Sequence, residues 1–212
     1  MRFEDQRKLL VEELVAYGIN DEKVLSAFLS VPREYYVLPE YKEYAYRNQP
    51  LPILQKQTIS QPLMIAIMMQ HLELNENDSV LEIGTGSGYQ SALLAGIVKE
   101  VCTIERIEEL SLKAQNILKG QGFKNIYYRI GDGADGWVKA YPPRARFSKI
   151  IISAAAEQIP NQVVNQLGEG GIMVVPVGTG AYQVLTKLTN KQGSISISEH
   201  GACAFVPLVT EK

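Results

Sequence analysis

Residues Val80 to Tyr89 read Val-Leu-Glu-Ile-Gly-Thr-Gly-Ser-Gly-Tyr, an apolar run that meets three glycines at alternate positions and continues into Gln90-Ser91-Ala92-Leu93-Leu94-Ala95. The order this imposes is strand, tight turn, helix. Glycines at Gly84, Gly86 and Gly88 let the backbone approach a ligand that a Cβ would block, and the helix start offers unpaired N–H groups. The pattern predicts a nucleotide-type ligand at the carboxyl end of a strand.

Two details select the ligand. The dinucleotide fingerprint is G-x-G-x-x-G, whereas the spacing here is G-x-G-x-G, with the carboxylate of Glu82 two residues ahead of the first glycine. A pyrophosphate is a poor neighbour for that carboxylate, and a ligand with an ammonium and a sulfonium is a good one. S-adenosyl-L-methionine fits, with S-adenosyl-L-homocysteine as its demethylated product. Glu105 ends a second strand-like run, Lys99 to Glu105, about twenty residues on, where an acidic side chain can accept both ribose hydroxyls. The plain alternative is a strand-end Glu facing solvent. Asp132, between Gly131 and Gly133, is a third candidate, able to accept from an adenine amino group or serve only as a turn residue.

Composition narrows the partners. The 212 residues are 46% hydrophobic with a formal net charge of −2, enough for one well-buried core. No basic cluster gives a nucleic-acid footprint. Met1 to Gln6 lack the apolar core of a signal peptide, and no apolar run approaches the ~18–20 residues of a membrane span, so neither nucleic acid nor membrane is an expected partner and the expected compartment is the cytoplasm. The sequence carries no signal for oligomeric state. Two cysteines (Cys102, Cys203) and two histidines (His71, His200) show no metal-ligand spacing, so no metal is expected. Cys102 reads as a small apolar strand residue, and His71 as a capping or solvent-facing residue near a helix end.

Along the chain, residues 2–17 place Phe3, Leu9, Leu10, Leu14 and Val15 at roughly helical spacing before Gly18, and Asp21 can cap a second helix ending at Pro32. Residues 32–56 are rich in Pro and Tyr. Ser60 is the expected N-cap of a third helix, with Pro62 in its first turn. From residue 79 strands and helices alternate: strand 79–83, helix 89–97, strand 100–105, helix 108–120, strand 125–130, strand 147–153, helix 160–167 and strand 171–177. Runs 183–188 and 194–198 form a hairpin about Asn190-Lys191-Gln192-Gly193. The fold class expected is α/β: a doubly wound, mostly parallel sheet of Rossmann-like type, with an antiparallel C-terminal edge and a helical N-terminal cap over the cofactor crevice. One domain is expected over 1–212, with 1–56 as the cap region and 57–212 as the cofactor-binding core and hairpin.

Over nearly its full length the chain resembles the protein-L-isoaspartate O-methyltransferase family. The likeness rests on Val31-Pro32-Arg33-Glu34, Ala45 to Ile53, Gln57-Thr58-Ile59-Ser60-Gln61-Pro62, Leu81 to Tyr89, Gly131-Asp132-Gly133, Leu167 to Gly171, Val175 to Gly178 and Phe205-Val206-Pro207-Leu208. The resemblance implies methyl transfer from S-adenosyl-L-methionine to the free α-carboxylate of L-isoaspartyl residues in damaged proteins and peptides, which are then the expected partners. It places Ser60 at the catalytic position. It places Gln57, Thr58, Ile59, Ser60, Glu82, Gly84, Gly86, Gly88, Glu105, Arg106, Asp132, Gly133 and Gln183 at the cofactor, and Ser60, Val177, Val206, Pro207 and Leu208 at the substrate. The chain departs from the family at Leu54 and Lys56, where glycines are common, and at Leu63, where His or Tyr is common. The departures at Lys56 and Leu63 motivate one alternative, a related carboxyl methyltransferase acting on a biosynthetic peptide. A noncatalytic S-adenosylmethionine-binding protein is another, and intact Gly84, Gly86, Gly88, Glu105 and Ser60 argue against it. An NAD-dependent oxidoreductase ranks last, because the third glycine is one position out.

Overall fold

The computed structural model describes residues 1–180 and 182–210. In chain order, helices α1 (Phe3–Ala16) and α2 (Glu22–Ser30) lead through short 3-10 turns to the two-residue strands β1 (Leu51–Pro52) and β2 (Thr58–Ile59). Then come α3 (Pro62–Leu72), β3 (Ser79–Ile83), α4 (Tyr89–Ala95), β4 (Glu100–Glu105), α5 (Glu108–Gly120), β5 (Ile126–Ile130) and β6 (Phe147–Ile152). The chain closes with α6 (Asn161–Val164), β7 (Leu167–Thr179), β8 (Tyr182–Lys191) and β9 (Ser194–Cys203).

Strands β3 to β9 form one seven-stranded sheet in the order β5-β4-β3-β6-β7-β8-β9. The first five strands in that order are parallel, and β8 and β9 add antiparallel pairs at one edge. The central strands are apolar along their whole length because both faces of the sheet are covered. Alternate residues divide between the faces. Val80, Val101, Ile151 and Val174 join a core with α1 to α5, whereas Leu81, Cys102, Ile150 and Met173 join a second core with Trp137 and Val163. The chain winds outward from β3 to β5 and then returns to β6 on the other side of β3. That reversal opens a crevice at the carboxyl ends of β3, β4 and β6, where doubly wound sheets bind ligands.

Most elements lie where the sequence places them, and the exceptions have identifiable causes. The expected helix 160–167 is one turn, Asn161–Val164, because Leu167 is drawn into β7 opposite Phe147. Strand β9 runs on to Cys203 because its register with β8 continues past an irregularity between Val184 and Thr186. In α1 the buried face is Leu10, Val11 and Leu14, while Leu9 and Val15 are exposed. His71 neither caps α3 nor stands alone in solvent: it is partly buried, its ring 4.1 Å from that of His200 on β9.

Ser60 is not the N-cap of α3. Gln61 occupies that position with no side-chain capping bond, and Pro62 is in the first turn as expected. The Leu63 amide donates instead to Asn48 Oδ1 at 3.0 Å, a partner fifteen residues back that local sequence does not announce. Asp21 caps α2 as read, accepting from the Lys23 and Val24 amides at 2.9 and 3.2 Å. We expect Asp21→Ala to cost about 1 kcal/mol, lowering the melting temperature by about 2–4 °C in thermal denaturation. An unchanged melting temperature would mean that packing alone holds α2.

Candidate functional site

A cavity of about 600 Å³ opens at the topological reversal, within the size range of small-molecule sites. Its wall is built by the turn after β3 (Gly84, Thr85, Gly86, Ser87), the end of β4 with its following residues (Ile104, Glu105, Arg106, Ile107), Ser153 after β6, Gly133, the segment Lys56 to Ser60 and the tail residues Val206 to Val209. Segments far apart in the chain are thus brought to one space by the ends of parallel strands.

The three glycines of the turn do different work, and all have positive φ: +98° at Gly84, +53° at Gly86 and +87° at Gly88. Gly84 and Gly86 line the cavity. The Gly86 amide donates to Glu105 Oε2 at 2.9 Å, and the Ile107 amide donates to Glu105 Oε1 at 3.0 Å. Each carboxylate oxygen retains accepting capacity toward the cavity. Gly88 lies outside the cavity wall; a Cβ there would stand 3.1 Å from Leu118 and 3.2 Å from Ala114, so its glycine admits α5 against the turn. Gly133 does line the cavity, and a Cβ there would collide with Ile83 Cγ2 at 2.3 Å.

Glu82 departs furthest from its sequence reading. It is fully buried, not in the cavity wall, and its oxygens accept from Gln90 Nε2 at 3.0 Å, Thr103 Oγ1 at 2.7 Å and the Ser91 hydroxyl. Burial pushes its carboxyl up to about 7, against the pull of those donors. Gln90 also reaches Ser153 Oγ at 2.6 Å, and both of those side chains line the cavity. Glu82 therefore acts on the site through Gln90.

Three further expected residues sit apart from the cavity. Asp132 accepts from the Ala134 amide at 2.8 Å, capping the 3-10 turn Gly133–Asp135, and is outside the wall. Gln183 is buried under the C-terminal tail, accepting from the Phe205 amide at 2.7 Å and donating to the Phe205 carbonyl at 3.0 Å and the Gly180 carbonyl at 2.9 Å. Its amide pairs with backbone, so it positions the tail that carries Val206, Pro207 and Leu208. Val177 packs against the second core and bridges to Ala156. The structure brings Gln57, Thr58, Ile59, Ser60, Gly84, Gly86, Glu105, Arg106, Gly133, Val206, Pro207 and Leu208 to one cavity.

Arg33 is the residue whose part in the site its motif did not disclose. It is fully buried, and among the described residues no carboxylate pairs with it. Its Nε donates to the Ala45 carbonyl at 2.9 Å and its Nη2 to the Ser60 carbonyl at 2.8 Å, while the guanidinium lies 4.8 Å from the centre of the Tyr89 ring. Burial lowers its pKa to about 10, which leaves it charged at neutral pH. Ser60 is held by its carbonyl, and among the described residues its hydroxyl carries no hydrogen bond. Ahead of it, Gln55 and Lys56 adopt φ of +57° and +56°, a conformation costing about 1–2 kcal/mol for a residue with a Cβ. Lys56 stands where the resembled family commonly has glycine.

The family model for protein-L-isoaspartate(D-aspartate) O-methyltransferases matches residues 5–212. A protein-L-isoaspartate O-methyltransferase of Petrotoga mobilis is 49% identical over 213 residues, spanning 100% of this chain and 99% of the relative. One from Dictyoglomus turgidum is 47% identical, spanning 99% and 94%. Among solved structures, a Plasmodium falciparum protein assigned to the same activity, in complex with S-adenosyl-L-homocysteine, superposes with a TM-score of 0.85 at 26% identity, covering 96% of this chain and 98% of that one.

The buried carboxyl gives a pH test. Its folded value of about 7 lies above the ordinary 4.5, so the folded state holds the proton more tightly and this group's contribution to stability falls as pH rises between those values. Replacement by a neutral amide removes that titration. Relative to Glu82→Gln, the wild type should lose about 3 kcal/mol of stability between pH 4.5 and pH 7.5, measured by denaturant unfolding of both proteins. A difference independent of pH would show that Glu82 does not change protonation in this range.

Proposed function

We propose that this chain, which belongs to the protein-L-isoaspartate(D-aspartate) O-methyltransferase family, transfers the methyl group of S-adenosyl-L-methionine to the free α-carboxylate of L-isoaspartyl residues in damaged proteins and peptides. The observation that carries the reading is the convergence of the glycine turn, Glu105 and Ser60 on one cavity of about 600 Å³ at the carboxyl end of a parallel sheet. The residues fit such a cofactor. Gly84 and Gly86 turn the backbone of the wall at positive φ, Glu105 offers two acceptor oxygens for a ribose, and Ile104, Ile107 and Leu110 supply apolar wall for a base.

When bound, S-adenosyl-L-methionine supplies a methyl group on a positively charged sulfur. The acceptor is an α-carboxyl group, with a reference pKa of ~3.3–3.7, and is an anion at neutral pH. No general base is required. The protein's task is to align the carboxylate oxygen and exclude water, and orientation of this kind can supply roughly 7–11 kcal/mol. Ser60 is suited to the alignment: its carbonyl is fixed by Arg33 and its hydroxyl is available to donate to the carboxylate. Val206, Pro207 and Leu208 line the same cavity and are suited to shield the reacting atoms.

The direct test is methyl incorporation into isoaspartyl peptides and matched aspartyl peptides; equal incorporation, or none, would sink the reading. Glu105→Ala should weaken S-adenosyl-L-homocysteine binding by about 2–4 kcal/mol in calorimetry, since charge-assisted hydrogen bonds contribute ~1.5–3 kcal/mol each and water offsets part of the loss. Unchanged affinity would reduce Glu105 to a support for the Gly86 turn. Ser60→Ala should lower turnover at saturating peptide by roughly a hundredfold. Its melting temperature should stay near the wild-type value, because Ser60 does not cap α3. Unaltered turnover would remove Ser60 from the chemistry.

A further inference from the structure

We infer that Lys56 is a specificity-determining residue, which draws acidic isoaspartyl segments to the mouth of the cavity and favours those with a carboxylate beside the reacting residue. The inference rests on the methyl-transfer reading of the site. Lys56 lines the cavity four residues ahead of Ser60 and is exposed. Its backbone position is fixed from several directions: the Ile53 amide donates to the Gln57 carbonyl at 2.9 Å, the Gln57 amide to the Leu54 carbonyl at 3.1 Å, and the Gln57 side chain to the Gln55 carbonyl at 3.2 Å. Gln55 also ties the loop to α5 by donating to Glu109. With φ of +56°, Lys56 holds a backbone conformation that glycine adopts without strain. A long cationic side chain kept there against that preference, beside a reactive site, points to a role for the side chain.

The charge distribution indicates what it recognises. Among the described residues, Lys56 and Arg106 are the cationic residues of the cavity wall, and Glu105 is its carboxylate. Both Glu105 oxygens already accept backbone amides, and Glu109 accepts from Gln55. The chain as a whole carries −2, yet the mouth presents ammonium and guanidinium groups. An exposed ammonium at the edge of the cleft offers an anionic side chain a cationic partner there. The acceptor carboxylate is common to all isoaspartyl peptides, so discrimination falls on the neighbouring side chains, for which Lys56 is an exposed cationic contact in the wall that also holds Ser60.

The test uses three isoaspartyl peptides that differ only in having Asp, Asn or Lys next to the isoaspartate. Each is methylated by the full chain and by Lys56→Gln, Lys56→Gly, Lys56→Arg and Lys56→Glu. The wild type should show its lowest KM with the Asp peptide. Lys56→Gln and Lys56→Gly should raise that KM about fivefold, the effect of one exposed ion pair, and change the Asn peptide little. Lys56→Arg should retain the preference, Lys56→Glu should reverse it, and high salt should flatten it. The glycine variant separates charge from backbone, because it relieves the left-handed strain while removing the ammonium. Equal shifts for all three peptides, or none, would overturn the inference while leaving methyl transfer intact. Failure of the wild type to methylate any isoaspartyl peptide would instead remove the functional reading and this inference with it.

Discussion

The arrangement of the cavity depends on one buried carboxyl group. Glu82 on β3 takes hydrogen bonds from Gln90 and Ser91 at the start of α4 and from Thr103 on β4, and Gln90 extends the connection to Ser153 after β6. Four segments that border the cavity are thereby referred to one side chain. A buried network of this kind rigidifies its surroundings when its members are paired, and becomes costly when one is left unpaired. Desolvation holds the Glu82 carboxyl near 7, so its charge is sensitive to the very network that positions the turn.

A second constraint comes from the N-terminal side. Arg33 joins the 3-10 turn Arg33–Tyr35, Ala45 and Ser60 through its guanidinium, and its remaining nitrogen Nη1 has no hydrogen-bond partner among the described residues. Next to it, Glu34 accepts from Tyr46, and Arg7 of α1 lies 3.6 Å from Glu34 and donates to the same tyrosine at 3.0 Å. The N-terminal helices extend the helical layer on one sheet face and are linked through this polar group to the backbone of Ser60. Among the described residues of 1–56, Lys56 alone lines the cavity, and Gln57 to Ser60 continue the wall from it.

Local sequence was most informative where local rules decide conformation. The alternation of apolar strands and helices, the glycine turn from β3 into α4 and the Asp21 cap follow from neighbouring residues, and the structure carries them as read. The parallel sheet followed as well, because strands apolar along their whole length need cover on both faces. Ser60 and Leu167 misled for the opposite reason. Ser60 had the chemistry and position of a helix cap, but Asn48 reached the first turn of α3 from elsewhere. Leu167 continued a helical spacing, but pairing with Phe147 made it a strand residue.

By itself the sequence determined the fold class, the glycine turn and the set of chain segments that could border a cofactor, since these rest on periodicity and on backbone freedom at single positions. Only the tertiary structure decided which polar side chains face the cavity. Glu82 and Glu105 are both strand carboxylates near the turn, yet the first is sealed beneath Gln90 and the second opens to the space. Gln183 and Asp132 turned to backbone groups, while Arg33 was drawn in to hold Ser60. The reason is physical: a side chain's partners are fixed by desolvation and by groups distant in sequence, and neither is encoded in the local spacing of residue types.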